Sequence, residues 1–202
     1  MNADQVAALR ALLAPTGWLD RTSGFGRALR RSSRTPNGLL VIGTAAAEPW
    51  HLTAHLADES ALAGIPELAP TLVRWAPPGN AAPHLSVGLD RLRDAGRHET
   101  LLVVSEQTAP GELLERVHDV RRAGATVFAL DTGDPELDEL AHEALAVSNA
   151  PMSFDAAQHL VSAATVADGV PLGRGLAAVR AEPGLRARLA RLLNVVSGTQ
   201  PD

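Results

Sequence analysis

Two rhythms of apolar and polar positions alternate along this chain. Short continuous apolar runs occupy 38–43, 71–75, 100–105, 125–131 and 145–148. Such runs suit strands buried on both faces of a parallel sheet. Between them, apolar residues recur every three or four positions, the spacing of a helix with one buried face. This second rhythm predicts helices over 49–64, 85–96, 111–124, 135–144 and 153–168, with Pro49 in a first turn and Gly64, Gly96 and Gly124 as stops. Further helices are predicted at 4–13, 19–31 and 184–196. Asp134, before Pro135, reads as a helix N-cap.

Strand and helix alternate five times, and crossovers of this length join parallel strands. The expected fold is α/β: a three-layer α-β-α sandwich on a five-stranded parallel sheet, of flavodoxin or Rossmann type. Residues 1–34 are expected to form an N-terminal helical extension and 35–198 the α/β domain.

Composition narrows the function classes. The net charge of -5 argues against a general nucleic-acid binder. The arginines at 27, 30, 31 and 34 read as a solvated helix face. Cysteine is absent, which removes disulfide and thiolate chemistry. No apolar run approaches the roughly 20 residues that span a bilayer. No basic-then-apolar leader is visible, so no membrane contact and a cytoplasmic location are expected.

Ligands of open parallel sheets sit beyond the carboxyl ends of the strands. Phosphate there calls for glycine amides, hydroxyls and a helix N-terminus. The turn after the first strand, 44–48, offers Thr44 but otherwise mostly alanine; the turn after the third offers Ser105, Gln107 and Thr108. His51 and His55 stand four apart on one helical face with Glu59 a turn further, and imidazoles at that spacing can share a metal or lie on an ordinary solvated face.

The run "VVS", the helix "GELLERVHDVRRAG" and the strand "TVFALD" resemble, at matching spacing, the sugar isomerase (SIS) domain family, which includes phosphoheptose isomerase. Ser105 is retained, whereas Gln107 to Pro110 replace the family's Ser-Gly-Glu/Asn-Ser/Thr turn. "HLADE" and "AQHLVSAATVAD" resemble two helices of phosphoheptose isomerases. The resemblance implies Glu59 as general base and His159 as general acid for an aldose–ketose shift. It also implies a zinc site from His55, Glu59 and His159, and a ligand site from Thr44, Ser105, Gln107 and Thr108. With the phosphate-binding motifs so altered, the leading expectation is a non-catalytic, SIS-like interaction or regulatory protein acting as a homo-oligomer, dimer or tetramer. The alternative is a sugar-phosphate-binding protein or isomerase.

Overall fold

The computed structural model describes residues 13–148, 150 and 152–166. Of the predicted helix at 4–13, only Leu13 lies among them, and it is buried. The helix predicted at 184–196 lies outside the described residues.

The apolar runs form one parallel sheet. Its strands are β1 (Leu39–Ile42), β2 (Pro70–Leu72), β3 (Thr100–Ser105), β4 (Thr126–Asp131) and β5 (Glu143–Ala146), in the order β2-β1-β3-β4-β5. All four pairings are parallel; Leu39 stands opposite both Pro70 and Thr100, and Ser105 opposite Asp131. The helices are α1 (Trp18–Ser32), α2 (Trp50–Ala63), α3 (Asp90–Arg93), α4 (Gly111–Arg122), α5 (Pro135–Leu140) and α6 (Phe154–Val166).

Side chains alternate across a strand, so each run feeds two cores. Leu39, Val41, Leu102, Val104, Phe128 and Leu130 face one layer, packed under Phe25 and Leu29 of α1, Leu52 and Leu56 of α2, and Leu160 and Val161 of α6. Leu40, Ile42, Leu101, Val103, Val127 and Ala129 face the other, under Leu92, Leu113, Val117 and Leu137. Each fully buried Leu or Val stabilises by roughly 1.5–3 kcal/mol against its exposed state. The result is the expected three-layer sandwich. Phe25 meets Phe128 edge to face at 5.4 Å between ring centroids, so α1 shares the main core.

Strand order reverses between β1 and β3. Chain leaving β1 crosses on the α2 face to β2, and chain leaving β3 crosses on the α4 face to β4, as right-handed crossovers require. The reversal opens a crevice beyond the carboxyl ends of β1 and β3.

Two predicted helices are shorter than the periodicity suggested. Within 85–96 only Asp90–Arg93 is α-helical, after a 3-10 turn at Pro83–Leu85. The Arg74 amide donates to the Val87 carbonyl at 2.9 Å, and Arg74 and Gly88 form a parallel bridge, which draws this backbone into sheet pairing. The helix predicted over 135–144 stops at Leu140, and the His142 amide donates to Val127 in the sheet. Strand pairing captures 143–146, two residues earlier than the apolar run indicated. Asp134 caps α5 as expected, accepting from the Glu136 and Leu137 amides.

Candidate functional site

The crevice at the strand reversal is bounded by the turns after β1 and β3. Two of the hydroxyls expected there, those of Thr44 and Ser105, serve the turns themselves. Thr44 Oγ1 accepts from the Ala47 amide at 3.1 Å. Buried Ser105 donates its hydroxyl to the Gln107 carbonyl at 2.6 Å. Thr108 and the Gln107 residue are exposed. The Ala109 amide donates to Asp134 Oδ2 at 2.6 Å, and Thr132 donates to the Glu106 carbonyl at 3.0 Å. A phosphate taking the Ala109 amide would have to displace a carboxylate of like charge.

The β1 turn is braced from below. A Cβ at Gly43 would lie 2.3 Å from the Ala47 carbonyl oxygen and 2.8 Å from Pro49 Cδ, so only glycine lets the chain fold back so closely. Glu48 accepts from Arg74 Nε at 2.9 Å and from the Trp75 amide at 3.1 Å. The Arg74 guanidinium lies 4.4 Å from the centre of the Trp50 ring. Trp75 Nε1 donates to the Gly43 carbonyl at 2.9 Å. These charges are mutually neutralised and largely shielded from water, an arrangement that fixes the start of α2.

At the end of β4, Asp131 is fully buried. One oxygen accepts from the Gly133 amide at 2.6 Å; Oδ2 has no hydrogen-bond partner, and neither has Asp138 Oδ1. Burial first, and then the Asp138 carboxyl, push the Asp131 pKa up to about 6, against the lowering effect of the Gly133 and Asp134 amides.

Among the described residues, the one group of histidines able to share a metal lies where α2 meets α6. His51 and His55, one turn apart on α2, converge with His159 of α6. One nitrogen from each lies within 4.8 Å of one from each of the others. Ring centroids are 4.8 Å apart for His51–His55, 4.8 Å for His51–His159 and 4.2 Å for His55–His159. Asp155, four residues before His159, lies beside the group. Its Oδ1 is 3.0 Å from His51 Nδ1 and its Oδ2 is 3.5 Å from His159 Nε2.

Local sequence explains the convergence. Leu52, Leu56, Leu160 and Val161 bury one side of each helix in the core, which leaves the flanking histidines at the helix–helix seam. Ser153 caps α6, accepting from the Ala156 amide at 3.2 Å, and Thr53 fixes the first turn of α2 by donating to the Pro49 carbonyl at 2.8 Å. Behind the seam, a Cβ on Gly26 of α1 would fall 2.7 Å from Ala164 of α6, so those two helices touch backbone to side chain.

His55 and His159 are thus neighbours, 4.2 Å apart between ring centroids. Glu59 lies one helical turn beyond His55 and is buried; among the described residues it is not part of the three-histidine group. In sequence, His51 is marked only by its spacing to His55, and Asp155 only by its i, i+4 relation to His159.

Three imidazoles suit a borderline transition metal such as zinc, which binds histidine nitrogen at about 2.0–2.1 Å. Tetrahedral coordination at that length puts ligand nitrogens about 3.4 Å apart. The present group is open by little more than an ångström, which side-chain rotation covers. The donor set therefore fits. On the other face of the sheet a shallow groove of about 470 Å³ between α4 and α5 is lined by Leu114, Glu115, His118, Asp119 and Leu140, and has no such convergence.

No protein-family model matches the chain, and no curated protein matches it. Solved structures do. A proposed phosphosugar isomerase from Silicibacter pomeroyi superposes with a TM-score of 0.54 at 15% identity, over 96% of this chain and 53% of its own. A proposed sugar-binding protein from Salmonella typhimurium gives 0.47 at 12% identity, over 90% of this chain and 56% of its own. The chain spans about half the length of these structures. The first likeness, together with the parallel order described above, makes the fold SIS-like. Among the described residues no helix is long and apolar enough to cross a membrane.

Proposed function

We propose that the chain is an SIS-type binding module whose working group is a transition-metal site formed by His51, His55 and His159, and that it does not isomerise sugar phosphates. The observation that carries this reading is the meeting of three imidazoles at one seam between two helices, with a carboxylate beside two of them. Three protein ligands leave a coordination position for water, an anion or a partner side chain. Bound, the ion would supply a positive centre that draws such a ligand in. The chain's own part is to hold neutral nitrogens in place. His51 is exposed, so the site is reachable from solvent.

The strand-end turns favour a non-catalytic role. Ser105 and the Ala109 amide, which a phosphate would need, are engaged within the protein. In this reading the phosphate-binding motifs of the SIS family are degenerate here. Homo-oligomeric assembly and a cytoplasmic setting belong to the same proposal; light scattering tests the first.

A second reading, a phosphoheptose isomerase-like enzyme, draws on the place of Glu59. It is buried one turn beyond His55 on the helix that abuts His159. Glu59 would take a proton from the sugar carbon and His159 would protonate the carbonyl oxygen, with the His55, Glu59 and His159 side chains as the zinc set. Thr44, Ser105, Gln107 and Thr108 would then hold the phosphate.

Thermal denaturation with zinc and with a panel of sugar phosphates separates the two readings. The module reading expects zinc to stabilise the fold, by about 2.7 kcal/mol at a hundredfold excess over Kd, and millimolar sugar phosphates to leave it unchanged. Stabilisation by a sugar phosphate, with aldose–ketose conversion abolished in Glu59→Gln, would establish the enzyme instead.

A further inference from the structure

We propose that Asp155 is the positioning residue of this metal site, fixing which nitrogen of His51 and of His159 faces the ion. The inference rests on the metal-binding reading above and adds the device that makes one exposed and one largely covered imidazole competent ligands.

Neutral imidazole carries a hydrogen on one nitrogen and a lone pair on the other, and only the lone pair binds a metal. A carboxylate accepts hydrogen bonds and donates none, so a ring nitrogen facing it must carry the hydrogen. Asp155 faces two rings at once. Oδ1 stands 3.0 Å from His51 Nδ1 and Oδ2 stands 3.5 Å from His159 Nε2. The hydrogen bond assigns the His51 lone pair to Nε2; the longer ion-pair contact biases the His159 lone pair toward Nδ1. The two histidines use different atoms because they reach the carboxylate from different helices.

The arrangement also settles ring orientation. The His51 side chain is 60% exposed, and an exposed side chain pays rotamer entropy when a metal orders it. A bond to Asp155, itself partly covered and held in the first turn of α6, meets part of that cost before metal arrives. His159 is restrained differently. Its side chain is only 11% exposed, and the i, i+4 spacing to Asp155 keeps the pair on one helix face. Asp155 further supplies negative charge beside three ligands that have none, which favours a dication over the empty site. Carboxylates placed behind ligating histidines raise ligand basicity, and their loss characteristically costs 10–100-fold in metal affinity.

The test compares the full-length chain with Asp155→Asn and Asp155→Glu. Asparagine keeps the size but has one acceptor oxygen and no charge, so it cannot serve both rings. Two readouts are taken: zinc affinity by competition with a chromophoric chelator, and the tautomers of His51 and His159 from imidazole nitrogen chemical shifts without metal. Expected are a 10–100-fold weaker zinc affinity in Asp155→Asn, partial recovery in Asp155→Glu, and His51 as the Nδ1–H and His159 as the Nε2–H tautomer in the parent. The asparagine variant loses that tautomer preference while its far-ultraviolet circular dichroism stays the same. If the parent binds zinc and Asp155→Asn binds within twofold of it with the same tautomers, the positioning role is overturned and the metal site stands. If the parent fails to bind zinc, the metal reading itself falls, and the role of Asp155 toward an ion falls with it.

Discussion

His51 Nδ1 on α2 lies 3.0 Å from Asp155 Oδ1 on α6, joining residues 104 apart in the chain. The contact crosses the seam between two helices that share one face of the sheet. It makes the position of the histidines a property of the tertiary fold rather than of either helix, and this sets what each substitution below should do.

Removing a ligand should separate metal binding from stability. His55→Ala is expected to reduce zinc affinity by more than 100-fold, beyond what loss of a supporting carboxylate costs. His55 is half-buried at the edge of the core and packs on the other two rings, so the thermal midpoint without metal should fall only slightly. Competition titration and calorimetry of the metal-free protein check the two halves.

Asp131→Asn should stabilise the protein, and by more at higher pH. The folded-state pKa of about 6 lies above the 3.8 of an ordinary aspartate. Well below pH 3.8 the wild-type carboxyl is neutral in both states. As pH rises past 4 the unfolded chain ionises first, and once pH passes 6 the folded protein carries a buried charge beside Asp138, so stability declines across that window. Asparagine has no such charge, and its amide can donate to the unpartnered Asp138 Oδ1. The expected gain is about 2 kcal/mol at pH 7.5, fading as pH falls through 6 towards 4. Urea denaturation at a series of pH values measures it.

Glu48→Ala should be costly despite lying in a turn. It removes the partner of Arg74 and the acceptor of the Trp75 amide in a setting where both side chains are mostly covered. An uncompensated, partly buried guanidinium argues for a loss of about 2–3 kcal/mol. Glu48→Gln keeps one acceptor oxygen, which can serve Arg74 or the Trp75 amide but not both, and should cost less than the alanine. Denaturant midpoints compare them, and a change in Trp fluorescence would report the disturbed stacking of Arg74 on Trp50.

Gly26→Ala probes the support behind the site. The new methyl would meet Ala164 main-chain and side-chain carbon at 2.7 Å, and neither is the flexible end of a long chain. One of the helices must shift, at about 1–3 kcal/mol. Because α6 also carries Asp155 and His159, zinc affinity should fall in the same variant, although Gly26 touches none of the ligands. Thermal melts and the chelator assay together test this coupling.

Much of the fold was legible because its signals are local. Continuous apolar runs bounded by glycine and polar turns marked the sheet, and the Asp134–Pro135 pair marked the start of α5. The shortfalls arose where pairing with distant strands overrode local rhythm, at Val87–Gly88 and at 143–146. The site divides in the same way. His51 and His55 were visible as an i, i+4 pair, since both sit on one helix. His159 came through resemblance to another family's helix. Asp155 joins them only once α2 and α6 pack, and no pattern within either segment announces a contact over 104 residues. The engagement of Ser105 with the Gln107 carbonyl was equally hidden, because a serine in a turn reads the same whether it faces a ligand or its own backbone.

The central claim is that one transition-metal ion binds at the α2–α6 seam. Crystals of the full-length chain grown with stoichiometric zinc, and measured on either side of the zinc absorption edge, address it most directly. The account predicts a single strong anomalous peak per chain, about 2.0–2.1 Å from one nitrogen each of His51, His55 and His159. Anomalous signal centred elsewhere, or none at this seam with zinc in excess, would contradict it.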